Sequence, residues 1–164
     1  MKKEFEKMLD LAYELCQEGQ FEKAVRYYDL VLKEEPENIV ALIDKGAALQ
    51  NLGNLKEALY LFQTVLKKNP KNVDALVNKG SVLHTLEKYS DAIECYDQAL
   101  KFDEKCTMAI AYKGLSLGEL GKVQDALKYF KKALSIDKDY DLAAISKKTA
   151  QNILKSILEK KNLS

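Results

Sequence analysis

Residues 39–72 read IVALIDKGAALQNLGNLKEALYLFQTVLKKNPKN, and their punctuation returns through the chain at steps of 34 residues. Gly46 is followed by Gly80 and Gly114, and Ala58 belongs to the series Ala24, Ala58, Ala92, Ala126. Phe62 belongs to an aromatic column, Tyr28, Phe62, Tyr96 and Phe130. Gly53 matches Gly19 and Gly121, with Glu87 in the fourth slot, and Pro70 matches Pro36. Both prolines and six of the seven glycines share this register, so chance does not account for it. A fixed period of this length is the signature of a repeat array, in which each unit buries its apolar face only against a neighbour.

The frame gives units 5–38, 39–72, 73–106 and 107–140. Each unit reads as two helices. In the third, Ala75, Leu76, Gly80, Leu83 and Leu86 form one helical stripe, and Tyr89, Ala92, Ile93, Tyr96, Ala99 and Leu100 another. Gly19, Gly53 and Gly121 stand where a left-handed residue closes the first helix. Asn38 and Asn72 are placed to cap the next helix. Pro36 and Pro70 follow the second helix and set the turn. The expectation is that Gly46, Gly80 and Gly114 admit a close helix approach. Ala24, Ala58, Ala92 and Ala126 would face them, and the aromatic column would fill the space between one unit and the next.

This pattern resembles the tetratricopeptide repeat family over 136 of the 164 residues. The sequence departs from that pattern at the first-helix aromatic positions, filled by Met8, Leu42, Leu76 and Ile110 and by Leu15, Leu49, Leu83 and Leu117. It also departs at the turn proline, where Glu104 and Lys138 stand in the last two units. The resemblance implies an all-α fold: a right-handed superhelix of four tandem 34-residue helix-turn-helix repeats. A capping helix follows at 141–161, and the whole makes a single domain. It also implies a concave groove lined by the first helices. The groove residues it points to are Leu9, Asp10 and Tyr13 in the first unit, and Ile43, Asp44 and Ala47 in the second. In the third they are Asp74, Val77, Asn78, Ser81 and His84, and in the fourth Met108, Tyr112 and Leu115.

Of the 24 positions that family geometry assigns to the groove, none is Lys or Arg, whereas composition alone would give about four, and five are acidic: Glu6, Asp10, Asp44, Asp74 and Glu119. Burial depletes both signs, so it does not explain a one-sided loss. An apolar groove with a negative bias is expected, with Tyr13 and Tyr112 as aromatic anchors. The bland alternative is that Leu9, Val40, Ile43 and Val77 only pack against neighbouring helices. Family members that grip the acidic tails of heat-shock chaperones use a clamp of Lys, Asn and Arg. Here Asn78 matches its central Asn, but Ile43, Ala47, Met108 and Tyr112 replace the rest. An acidic chaperone tail is therefore not an expected partner, and nucleic acid is disfavoured by the same missing cations.

Working outward, composition adds exclusions. Lys plus Arg is 26 and Asp plus Glu is 25, a net charge of +1, with 47% hydrophobic and 31% charged residues. Disorder and a dedicated polyanion binder are both argued against. No apolar run suits a membrane span, and MKKEFEKMLD lacks a signal-peptide core, so a soluble, cytoplasmic chain is expected. Cys16, Cys95 and Cys106 show neither disulfide nor zinc spacing, and no metal or cofactor is expected. His84, the only histidine, lies on a helical pattern without a nucleophile turn. Gly118–Lys122 fails as a phosphate loop, and Asp137, Asp139 and Asp141 lack the glycine and glutamate of a calcium loop. Asn162-Leu163-Ser164 spells a glycosylation sequon without a secretory context.

Residues 141–161 contain no Gly or Pro and read as one helix. Lys147, Lys148 and Gln151 make it a polar terminator. Ile153, Leu154, Ile157 and Leu158 continue its apolar stripe. Two placements stay open: folded back on the fourth unit, or exposed to a partner. The expected function is a non-catalytic adaptor that binds an apolar, partly cationic peptide of another protein. The alternative is an assembly subunit that self-associates, as a weak homodimer, through that stripe.

Overall fold

A computed structural model of the chain describes residues 2–162. The side chains of Lys160 and Lys161, and Leu163 and Ser164 of the sequon, lie outside the described residues. The helices are α1 (Lys2–Gln17), α2 (Phe21–Glu34), α3 (Ile39–Asn51), α4 (Leu55–Lys68), α5 (Val73–Thr85), α6 (Tyr89–Phe102), α7 (Thr107–Glu119), α8 (Val123–Ile136) and α9 (Asp141–Asn162). No strand occurs among the described residues. The even-numbered helices begin at 21, 55, 89 and 123 and end at 34, 68, 102 and 136, so the 34-residue period is met to the residue. Helices α6 and α8 stop at the same point as α2 and α4, although Glu104 and Lys138 replace the proline. The turn therefore does not depend on that ring. None of the described helices is long and apolar enough to cross a membrane.

The turn chemistry follows the sequence. Gly19, Gly53 and Gly121 have φ of 74°, 80° and 74°, and Glu87 holds the same left-handed turn at 59° without being glycine. Asn38 Oδ1 accepts from the Ala41 amide at 3.0 Å, and Asn72 Oδ1 from the Ala75 amide at 2.8 Å. These bonds satisfy donors that a helix start leaves open.

The helices fall into two compact units, Met1–Val82 and Leu83–Ser164. In the first, Tyr28, Val31, Ala24 and Ala12 are buried with Ala41 and Ala48 of the following helix. Phe62, Leu61, Val65 and Ala58 are buried with Ala75 and Val82. In the second, Phe130, Leu117 and Ala126 meet Ala150, while Ile110 and Ala133 meet Ala143. The column Ala41, Ala75, Ala109, Ala143, fully buried throughout, is a further series at the same period that the sequence reading passed over. It lets each first helix seat on the repeat before it.

The nearest neighbour of the small glycine is the aromatic column. A Cβ built on Gly46 would stand 2.6 Å from Phe62 Cε1, and one on Gly114 would stand 2.6 Å from Phe130 Cε1. The aromatic ring lies across the glycine of its own repeat, and the bare Cα leaves the ring its space; in the first repeat Ala12 fills that slot and is buried with Tyr28. Ion pairs add to the seams between repeats. Lys45 Nζ reaches Asp29 Oδ1 at 2.9 Å and Glu57 Oε1 at 3.2 Å. Lys113, two periods on, reaches Asp97 at 2.5 Å and lies 4.5 Å from the Tyr129 ring centroid.

Candidate functional site

In the N-terminal unit the first helices supply the candidate surface at helical spacing, where residues three and four apart share a face. Helix α1 offers Leu9, Asp10 and Tyr13, and α3 offers Asp44 and Ala47. Asp74, Asn78 and Ser81 come from α5. Tyr13 is 58% exposed, and Asp10 and Asp74 are exposed. Asn78 Nδ2 donates to the Asp74 carbonyl at 2.9 Å, and Gln50 Nε2 donates to Ser81 Oγ at 2.8 Å. Two expected groove residues are not surface. Ile43 is 9% exposed and Val77 2%. They serve the core, because an aliphatic side chain at the fifth position of a first helix is covered inside an array. Leu9, at the same position in the first unit, is half-buried and packs on the core around Tyr28.

Tyr13, Cys16, Tyr28, Asp44, Ala47 and Asn51 are among the residues lining a cavity of about 330 Å³ between the first and second repeats. Tyr28, read from sequence as core, is its floor. The Cys16 thiol lies 3.8 Å from the Tyr28 hydroxyl. Asn51 Nδ2 donates to the Ala47 carbonyl at 2.9 Å, so the bond engages its nitrogen and not its carbonyl oxygen. Burial, and then the charge of Asp74, push the Asp44 carboxyl above its ordinary value. Burial, followed by smaller contributions that include the charge of Asp44, pushes the thiol of Cys16 and the phenol of Tyr28 up. Among the described residues Asp44 has no ion pair: its neighbour Lys45 is turned to Asp29 and Glu57. A half-buried carboxylate without a cation is costly to keep ionised.

That cost gives a test. The folded state favours protonated Asp44, so ionised Asp44 works against stability above its raised pKa. Asp44→Asn should therefore melt higher than wild type at pH 7. The gain should shrink as pH falls through the raised pKa, and vanish below the ordinary carboxylate value, near about pH 3. Thermal unfolding of both proteins at the two pH values measures it. An Asn variant that melts lower at pH 7, or a gain that persists in acid, contradicts the electrostatic account.

In the C-terminal unit the expected residues gather differently. His84 Nδ1 and Ser116 Oγ are 2.8 Å apart, and the imidazole meets Tyr89 edge-on at 5.2 Å. Burial lowers the pKa of His84, opposed by the charge of Glu119. The Ser–His contact has the length of a nucleophile–base pair, but Ser116 is 0% exposed and cannot meet a substrate. The pair satisfies two polar groups in the packing. Tyr112 is half-buried and tilted against Tyr96 at 6.1 Å, and Met108 is exposed. Leu115, Gly118, Phe130, Ile145, Ser146 and Ile153 help to line a second cavity of about 310 Å³ between α7, α8 and α9. On α9, Ile153, Ile157 and Leu158 are exposed and Leu154 is half-buried, so the stripe is not folded away.

With the geometry in place, comparison with known proteins is informative. A family model described as "Psidin, N-terminal TPR repeats region" matches residues 6–107, and one described as "Tetratricopeptide repeat" matches residues 113–140. No curated protein gives a significant match. Among solved structures, MamA from Desulfovibrio magneticus RS-1 is similar at 21% identity and a TM-score of 0.70, covering 98% of this chain and 96% of that one. The thermophilic TPR protein TTC0263 of Thermus thermophilus is similar at 19% identity and a TM-score of 0.80, covering 84% and 77%. The first TPR of Spaghetti (RPAP3), bound to the HSP90 peptide SRMEEVD, is similar at 21% identity and a TM-score of 0.67, covering 71% and 92%.

Proposed function

The chain belongs to the tetratricopeptide repeat family, whose members generally mediate protein–protein interaction, and on that premise we propose a non-catalytic adaptor role. The adaptor takes an extended, largely apolar segment of a partner protein that carries a Lys, an Arg or a free amine. The segment lies on the first-helix surface of the N-terminal unit. One observation carries this reading: Asp44 is a half-buried carboxylate in a cavity with aromatic walls, beside the charge of Asp74 and, among the described residues, without a cation of its own. A ligand cation supplies what the fold withholds. The peptide SRMEEVD, held by the RPAP3 neighbour, presents three acidic side chains that would meet Asp44 and Asp74 here, so an acidic tail is not the expected ligand. Selection of binders from a random peptide library tests the reading. Enrichment of Lys and Arg among apolar residues, with binding that weakens as salt rises, is the expected result. Enrichment of acidic peptides contradicts it.

A second reading, self-association through α9, is favoured by the exposure of Ile153, Ile157 and Leu158, the last at 61%. Two copies could bury this stripe in one isologous contact. The contact is small, so a dissociation constant on the order of micromolar is expected. Sedimentation over a concentration series should show wild type associating, and Leu154→Glu/Leu158→Glu monomeric with unchanged melting. If both are monomeric and equally stable, the stripe is not an interface.

A further inference from the structure

The two cavities are the same inter-repeat position seen 102 residues, or three periods, apart. Between them the lining changes character. Tyr13 becomes Leu115, Cys16 becomes Gly118, Tyr28 becomes Phe130, Asp44 becomes Ser146 and Asn51 becomes Ile153. The phenol, the thiol, the carboxylate and the amide on one lining are exchanged for a ring, a bare Cα, a hydroxyl and an aliphatic chain. The period builds the hole twice. The C-terminal copy keeps one carboxylate, Glu119 in the place of Gln17, but that side chain is exposed, whereas Asp44 is half-buried.

Resting on the adaptor reading above, we infer that the N-terminal cavity is a primary-ammonium site that receives a lysine side chain of the partner segment, with Asp44 as its counter-ion. The alkyl stem suits the apolar part of the wall, Tyr13, Phe21, Ala47 and Ala48. The head carries three donors and no acceptor. Asp44 supplies a carboxylate and Asn51 a carbonyl oxygen whose own amide is already committed to Ala47, and solvent takes the remaining donor. A guanidinium is served less well. Its planar fork seeks a bidentate carboxylate with further in-plane acceptors, and Asp44 is the one carboxylate among the lining residues.

The test uses the full chain, labelled with ¹⁵N, and N-acetyl-lysine-N-methylamide as probe. Expected are amide shifts at Tyr13, Asp44 and Asn51 with Leu115 and Ser146 unmoved, so the C-terminal cavity is the internal control. The ε-acetylated probe and the norleucine probe should bind at least about tenfold more weakly, since neither carries the charge. The arginine probe should be weaker than lysine, and Asp44→Asn should lose the lysine response. No response to the lysine probe, an equal response to its acetylated form, or equal shifts in both cavities overturns the assignment. Library peptides that depend on Asp44 yet favour arginine would overturn the lysine inference while leaving the adaptor reading intact. A lysine response as described, with a library yielding only acidic binders, would overturn the adaptor reading alone.

Discussion

Gly114→Ala should destabilise the chain by about 1–3 kcal/mol, the usual range for forcing extra atoms into a filled core. Gly118→Ala, four residues later in α7, should be neutral or gain up to about 1 kcal/mol from helix propensity. The difference lies in what each new methyl meets. At Gly114 it would stand 2.6 Å from Phe130 Cε1 and 2.9 Å from Cδ1, and at Gly118 its nearest neighbour is Ala126 Cβ at 3.9 Å. Phe130 cannot swing aside, because it is buried against Leu117, Ala126 and Ala150. Gly46→Ala should repeat the loss, since its methyl would stand 2.6 Å from Phe62 Cε1. In a chain of this length each kcal/mol moves the melting temperature by about 2–4 °C. Thermal unfolding followed by circular dichroism therefore resolves the contrast. Equal losses at Gly114 and Gly118 would contradict the seating of the ring over the glycine.

The sequence exposed the repeat through positions that few residue types suit. A bare Cα under a ring, a left-handed turn and an asparagine cap each admit few side chains, so they recur and can be counted. Glu87 shows that the turn geometry outlasts its preferred residue: the slot keeps its left-handed φ without the glycine. Surface and core at the fifth position of the first helices were not legible. Ile43 and Val77 are buried, whereas Ile145, the same position in α9, is 67% exposed. A periodic reading treats all units alike, but an interior helix is covered and a terminal one is not. The floor of the N-terminal cavity was missed for a related reason. Tyr28 belongs to the core column, and nothing in its spacing says that its buried hydroxyl lies beside Cys16 at the edge of a cavity.

The other large effect is on binding. Asp44→Lys should weaken a library-selected cationic peptide on the order of 10–100-fold, since it replaces a partly desolvated attraction with a repulsion. Asp10→Lys, at an exposed position of α1, should have a much smaller effect that salt removes. A change at Asp44 alone could act through the fold, so the decisive step reverses the charge on both sides. The selected peptide, with its anchoring Lys replaced by Glu, is titrated against wild type and against Asp44→Lys by calorimetry. The account predicts that the Glu peptide fails on wild type, that the Lys peptide fails on Asp44→Lys, and that the Glu peptide regains binding to Asp44→Lys. A Glu peptide that binds both proteins alike, or neither, would contradict the claim that Asp44 reads a partner's cation.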